Sequence, residues 1–153
     1  MQKESITQLK ALIDPELPLV SNLSNTAAFL WEALDEINWA GFYLLKEETL
    51  YLGPFQGKVA CTRIQIGKGV CGTAAQEAKT QLVEDVHQFP GHIACDSASN
   101  SEIVVPIIID KKVVGVLDID SPKFARFKEE DRLILEELVH ILEQGCNWKS
   151  EII

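Results

Sequence analysis

The stretch SEIVVPIIIDKKVVGVLDIDSP, residues 101–122, decides the fold. Two apolar, β-branched runs, IVVPIII (103–109) and VVGVLDID (113–120), flank Asp110-Lys111-Lys112. Runs of this length around a polar turn read as an antiparallel hairpin. Upstream, short β-rich runs predict strands at about 37–45, 50–55, 61–66 and 81–84, with a short helix near 72–79. Helical spacing appears at both ends of the chain. Ile6, Leu9, Leu12 and Ile13 form one stripe, and Leu23, Ala27, Leu30 and Leu34 a second over 23–34, with Ser21 and Asn22 as candidate caps. A long amphipathic helix at 128–144 carries Ile134, Leu135, Leu138, Ile141 and Leu142. The expected class is α+β: a central, mainly antiparallel sheet with N- and C-terminal helices packed on one side. The terminal helices also offer faces for pairing between subunits, which points to a homodimer.

A chain of 153 residues fits one domain, 1–153, and buries about 70% of its unfolded surface without needing disulfides or metals. The net charge of −9 and pI near 4.8 disfavour nucleic-acid backbones and anionic lipid surfaces. No apolar run approaches the roughly 20 residues of a membrane span. MQKESITQLKALID at the N-terminus lacks a signal core, so a cytoplasmic location is expected.

The hairpin also carries the first candidate site. Asp118 and Asp120 alternate with Leu117 and Ile119, so both carboxyls share one face. A three-residue loop pairs 109 with 113 and places Glu102 opposite Asp120, whereas a slip of one residue sends Glu102 to the other face. Like charges across a ladder destabilise it. Three acids gathered there imply open solvent, a shared proton or a cation such as a ligand's ammonium group.

Trp39, Gly41 and Tyr43 likewise share a strand face. The glycine either relieves core crowding or leaves a ring-walled notch suited to a small group such as a methyl sulfur.

Four cysteines, Cys61, Cys71, Cys95 and Cys146, are too few and too scattered for a disulfide scaffold. Cys95 lies in DVHQFPGHIACDSASNS (85–101), a long segment with neither helical nor strand period, where a thiol can meet a ligand. Asp96 beside it raises a thiol's pKa, and His92 is the nearest candidate base. Cys61, Cys71, His92 and Cys95 are residue types that bind zinc and include His-x-x-Cys, but no Cys-x-x-Cys knuckle is present. Gly67-x-Gly69-x-x-Gly72 matches a dinucleotide fingerprint, yet Glu84 follows Gly72 too soon. These glycines are expected to shape the turn that places Cys71. His87 and His140 read as structural.

Taken together, NWAGFYLL (38–45), LGPFQGKVAC (52–61), IGKGVCGTAA (66–75), PGHIACDS (90–97), SEIVVPI (101–107) and GVLDIDSP (115–122) resemble the free methionine-(R)-sulfoxide reductases, a family of GAF-domain enzymes. The resemblance implies a GAF-like fold and thiol-dependent reduction of free methionine sulfoxide, with no cofactor. It implies that Cys95 attacks the sulfoxide sulfur and becomes a sulfenic acid. Cys61 matches the resolving cysteine that closes a disulfide with Cys95, and Cys71 a third cysteine that assists exchange. Glu102, Asp118 and Asp120 match the acids that hold the substrate, and Trp39 and Tyr43 the wall around its methyl group. Thioredoxin is the implied reductant. Cys146 lies outside these motifs. The competing class is a non-catalytic GAF-type module that binds a small molecule or senses oxidation.

Overall fold

A computed structural model describes residues 1–92 and 98–149. Helices α1 (Lys3–Leu12) and α2 (Leu19–Ala33) precede strands β1 (Trp39–Lys46), β2 (Thr49–Gly57) and β3 (Arg63–Gln65). Helix α3 (Gly69–Glu77), strand β4 (Gln81–Val83) and a 3₁₀ turn (Val86–Gln88) follow. Strands β5 (Ser101–Ile109) and β6 (Lys112–Ser121) lead to helix α4 (Glu129–Gly145). The strands make one antiparallel sheet in the order β3-β2-β1-β6-β5-β4.

Strand alternation divides the apolar residues between two faces. Ala40, Phe42, Ile103, Val105, Ile107, Leu117 and Ile119 meet Leu9, Leu23, Leu30, Leu135, Leu138 and Leu142 from the helices. The terminal helices therefore lie on one side, as the sequence predicts. The opposite face carries Trp39, Tyr43, Val104 and Val116, and α3 packs there through Val70, Cys71, Ala74 and Ala75.

The hairpin differs from expectation in an instructive way. Its turn holds two residues, Asp110 and Lys111, both with positive φ (51° and 67°), as a tight I′-type connection requires. Ile109 thus pairs with Lys112 and Ile108 with Val113, one position off the expected register. An irregularity between Ile107 and Ile108 then restores it, so Ile107 pairs with Gly115 and Glu102 with Asp120. The register at the site end is the predicted one, reached by two compensating departures. Pro106 sits beyond the reach of β4, where no ladder partner needs its missing N–H.

Helix α2 begins four residues earlier than expected. Pro18, with φ of −55°, precedes its first residue, and Ser21 and Asn22 lie inside the helix rather than capping it. Asn22 is buried and binds the connector instead: its Nδ2 donates to Asp14 O at 2.8 Å, and Asp14 N donates to its Oδ1 at 3.2 Å. Helix α3 also starts early, at Gly69 (φ 61°), two residues after Gly67 (φ 84°), and ends at Ala78 in the left-handed region. The glycines do shape this turn: Gly67 N donates to Gly72 O, and a Cβ on Gly72 would meet Gln65 O at 2.5 Å. The 3₁₀ turn falls within the segment expected to be irregular. His87 belongs to it, and its Nδ1 lies 2.9 Å from Asp85 Oδ1, a structural role as expected.

Gly41 is the sharpest packing constraint. A Cβ there would lie 2.3 Å from Phe55 Cβ and 2.9 Å from Pro54 O. Strand β2 crowds β1 here, where their register shifts between Gly41 and Tyr43. Gly41→Ala should lower unfolding free energy by about 1–3 kcal/mol, the usual range for overpacking, measured by urea denaturation. A variant within about 0.5 kcal/mol of wild type would contradict this packing.

Candidate active site

Register brings the candidate residues into one row across the sheet. Trp39 pairs with Asp120, Asp120 with Glu102, and Glu102 with Val83. One step along, Gly41 pairs with Asp118 and Asp118 with Val104. All these side chains share the face opposite α1, α2 and α4. Of these, Trp39, Glu102, Asp118 and Asp120 line a hollow together with Tyr43, Ile64, His92 and Ser99, and Val59 and Ala60 complete it.

The aromatic side of this hollow is rigid. Trp39 and Tyr43 are 3% and 2% exposed, and their rings stack with centroids 5.8 Å apart. Phe55 extends the stack, its ring 5.1 Å from that of Trp39. Of the two readings of Gly41, relief of crowding holds: Phe55 and Pro54 fill the space beside it, so no open notch is left there. The wall comes from the stacked rings, and the glycine lets β2 approach. Phe55 escaped the sequence reading, since a strand pairing that shifts register gives no local signal for its partner.

Both wall residues also hold the connection between β2 and β3. Trp39 Nε1 donates to Lys58 O at 3.1 Å, and Tyr43 Oη donates to Cys61 O at 2.8 Å. Burial and the nearby Asp118 hold the Tyr43 hydroxyl far above its ordinary pKa, so it remains a donor.

The acidic side is desolvated. Glu102 is 7% exposed and Asp118 5%, while Asp120 is half-buried. Burial pushes the Glu102 carboxyl well above its ordinary value, and the charges of Asp118 and Asp120 push it the same way. Burial also raises Asp118, offset in part by hydrogen bonding with Glu102, Cys71 and Asp120. Carboxyl groups in hydrogen-bonding contact must share a proton, since two carboxylates offer only acceptors. That proton belongs to the pair, whose members both have raised pKa values. Asp118 Oδ1 is buried and has no donor among the described residues. Such an acceptor suits a ligand that brings its own N–H groups.

Cys71 points into this acid cluster. A sulfur or oxygen donor atom from each of Cys71, Glu102 and Asp118 lies within 4.8 Å of the others. Burial and the adjacent acids raise the Cys71 thiol well above its ordinary pKa, so it stays protonated. Among the described residues, carboxyls gather around Cys71; the zinc set of Cys61, Cys71, His92 and Cys95 includes Cys95, which lies outside them. His92 lines the hollow, and burial, with His87, lowers its pKa despite the opposing pull of Asp118. Ser99, missed from sequence, is held by Asn38 Nδ2 donating to its Oγ at 3.0 Å. Cys95 lies outside the described residues. Cys146 is distant in the helical core, and burial raises its thiol to about 11.

A family model described as "GAF domain" matches residues 21–145. The free methionine-R-sulfoxide reductase of Escherichia coli is 57% identical over 134 residues, covering 88% of this chain and 81% of that protein. The Saccharomyces cerevisiae enzyme of the same name is 48% identical over 155 residues, covering 96% and 86%. The structure of free methionine-R-sulfoxide reductase from Neisseria meningitidis, in complex with its substrate, superposes with a TM-score of 0.90 at 48% identity. That match covers 94% of this chain and 86% of the Neisseria chain. At this identity and coverage, the fold and the sequence agree in assigning the chain to the free methionine-R-sulfoxide reductases, a family of GAF-domain enzymes.

Proposed function

We propose that this chain reduces free L-methionine-(R)-S-oxide to L-methionine, with Cys95 as nucleophile, Cys61 as resolving thiol and thioredoxin as final reductant. The observation that carries the reading is the meeting of a stacked aromatic wall with a proton-sharing acid cluster around one hollow. The relatives' names supply the substrate and its epimer, and the motif resemblance supplies the thiol roles.

The substrate's methyl lies against Trp39 and Tyr43, and its ammonium group donates to the carboxyls of Asp118 and Asp120. A peptide-bound methionine lacks that charge and brings extra chain, which favours the free amino acid. Glu102, holding the shared proton, passes it to the sulfoxide oxygen and makes the sulfur electrophilic. The Cys95 sulfur attacks that sulfur. Methionine leaves with two electrons gained, and Cys95 retains the oxygen as sulfenic acid. The Cys61 thiol then attacks Cys95, water departs, and a Cys61–Cys95 disulfide remains. Reduced thioredoxin returns two electrons and two protons, becoming a disulfide itself. Cys71 stays a neutral thiol beside Asp118 and takes part only in exchange. No helix is long and apolar enough to cross a membrane among the described residues. We place the reaction in the cytosol, where thiols are kept reduced, and the chain in a homodimer.

Purified protein with thioredoxin, its reductase and NADPH should oxidise NADPH with the R epimer and not with the S epimer. Stoichiometric disulfide formation by peroxide, without sulfoxide turnover, would instead support a redox sensor.

Cys95→Ser should abolish even a single turnover, because a hydroxyl is a poor nucleophile toward sulfur. Cys61→Ser should release about one methionine per site and then stall with thioredoxin. Equal loss in both would show that attack and resolution are misassigned.

The acid cluster gives a pH signature. Glu102 has its pKa raised above the ordinary 4.5, so its stabilising contribution is complete below pH 4.5 and drains away as pH rises through the higher folded value. Glu102→Gln is neutral at every pH. Its Tm should exceed that of wild type by a margin that grows toward alkaline pH and reaches a few degrees, since about 1 kcal/mol moves Tm by roughly 2–4 °C at this size. Its kcat should fall about 100-fold, as expected for a lost general acid. A Tm difference independent of pH would contradict the raised pKa.

A further inference from the structure

The chain carries 23 acidic residues, yet none lies between Thr49 and Gln76. That segment holds Lys58, Arg63 and Lys68, all exposed, and none is ion-paired to a described carboxylate. Cys61 lies on the connection between β2 and β3, three positions after Lys58 and two before Arg63, the first residue of β3. On that connection Val59 is 89% exposed, the largest exposure of any large apolar residue described.

An apolar side chain so exposed could simply ride a floppy loop, but this one does not. Donors from Trp39, Tyr43 and Leu52 hold the carbonyls of Lys58, Cys61 and Thr62 at 3.1, 2.8 and 3.0 Å. The fold thus presents an exposed apolar side chain on a tied backbone, one position after Lys58 and four before Arg63, on an otherwise strongly acidic molecule. Apolar centres with charged rims are the ordinary anatomy of a protein–protein contact. Pre-organisation also lowers the entropic cost of forming one.

We infer that Lys58, Val59 and Arg63 form the docking surface for a reduced dithiol protein whose own active cysteine is ringed by apolar and acidic side chains. The inference rests on Cys61 being the resolving thiol, because that sulfur must meet the external reductant. A thiol-bearing protein approaching along this face meets opposite charge locally, although the net charge of −9 opposes any acidic partner at long range. An exposed apolar side chain gives a protein surface something to bury, which a small hydrophilic thiol does not need.

The test compares wild type with Lys58→Glu/Arg63→Glu in the thioredoxin, reductase and NADPH assay, with dithiothreitol as a parallel reductant. The variant should raise the KM for reduced thioredoxin about tenfold, while its sulfoxide KM and its dithiothreitol-driven rate stay within twofold of wild type. An unchanged thioredoxin KM in a wild-type-like variant overturns the docking surface alone. An equal loss with dithiothreitol also overturns it, since the damage then lies in the site. A wild-type protein that turns over with dithiothreitol but not with thioredoxin overturns the proposed reductant and the surface together.

Discussion

Two carboxyl groups buried in contact cannot both ionise, and the rest of the site follows from that constraint. Glu102 and Asp118 sit on one sheet face, nearly free of water, with the Cys71 thiol beside them. Desolvation and mutual repulsion keep a proton in the cluster at pH values where an exposed carboxylic acid has lost it. The same field keeps the neighbouring Cys71 and Tyr43 protonated. The hollow thereby has a proton-holding acid pair and a protonated Tyr43 hydroxyl on its walls, which suits a reaction that begins by protonating an S–O oxygen.

The sheet makes this arrangement tolerable by separating two tasks. One face is a continuous apolar layer against α1, α2 and α4, where Leu9, Leu23, Leu30, Leu138 and Leu142 are fully buried. That layer supplies stability through apolar burial. The other face carries acids that oppose folding once ionised, and it is covered by a short helix and loop connections instead. Trp39 and Tyr43 join the two functional parts of that face: they wall the hollow and also tie down the loop bearing Cys61. A ligand seated against those rings therefore lies beside the backbone that carries Cys61.

Much of this was legible in the sequence because strand period is local information. Alternation in GVLDID put Asp118 and Asp120 on one face, and the apolar run from 103 to 109 identified the partner strand. The pairing of Glu102 with Asp120 was also correct, although the turn was read one residue too long. The irregularity beside Ile108 that absorbs the difference has no signature in residue types alone. Likewise, spacing could not choose between the two readings of Gly41; relief of crowding holds, because Phe55 comes against it from another strand through a shifted register. Asn22 looked like a cap from its type and position, but Pro18 starts the helix earlier and leaves its amide to bind Asp14. Boundaries set by a proline and contacts set by tertiary approach are the parts that spacing could not reveal.

The central claim is that the Glu102–Asp118 pair holds a proton at neutral pH. Infrared difference spectroscopy of wild type against Glu102→Gln, in the reduced protein at pH 7, measures this directly. The account predicts the carbonyl stretch of a protonated carboxyl in wild type, with loss of that band in the variant. A spectrum in which wild type shows only carboxylate bands at pH 7 would contradict it.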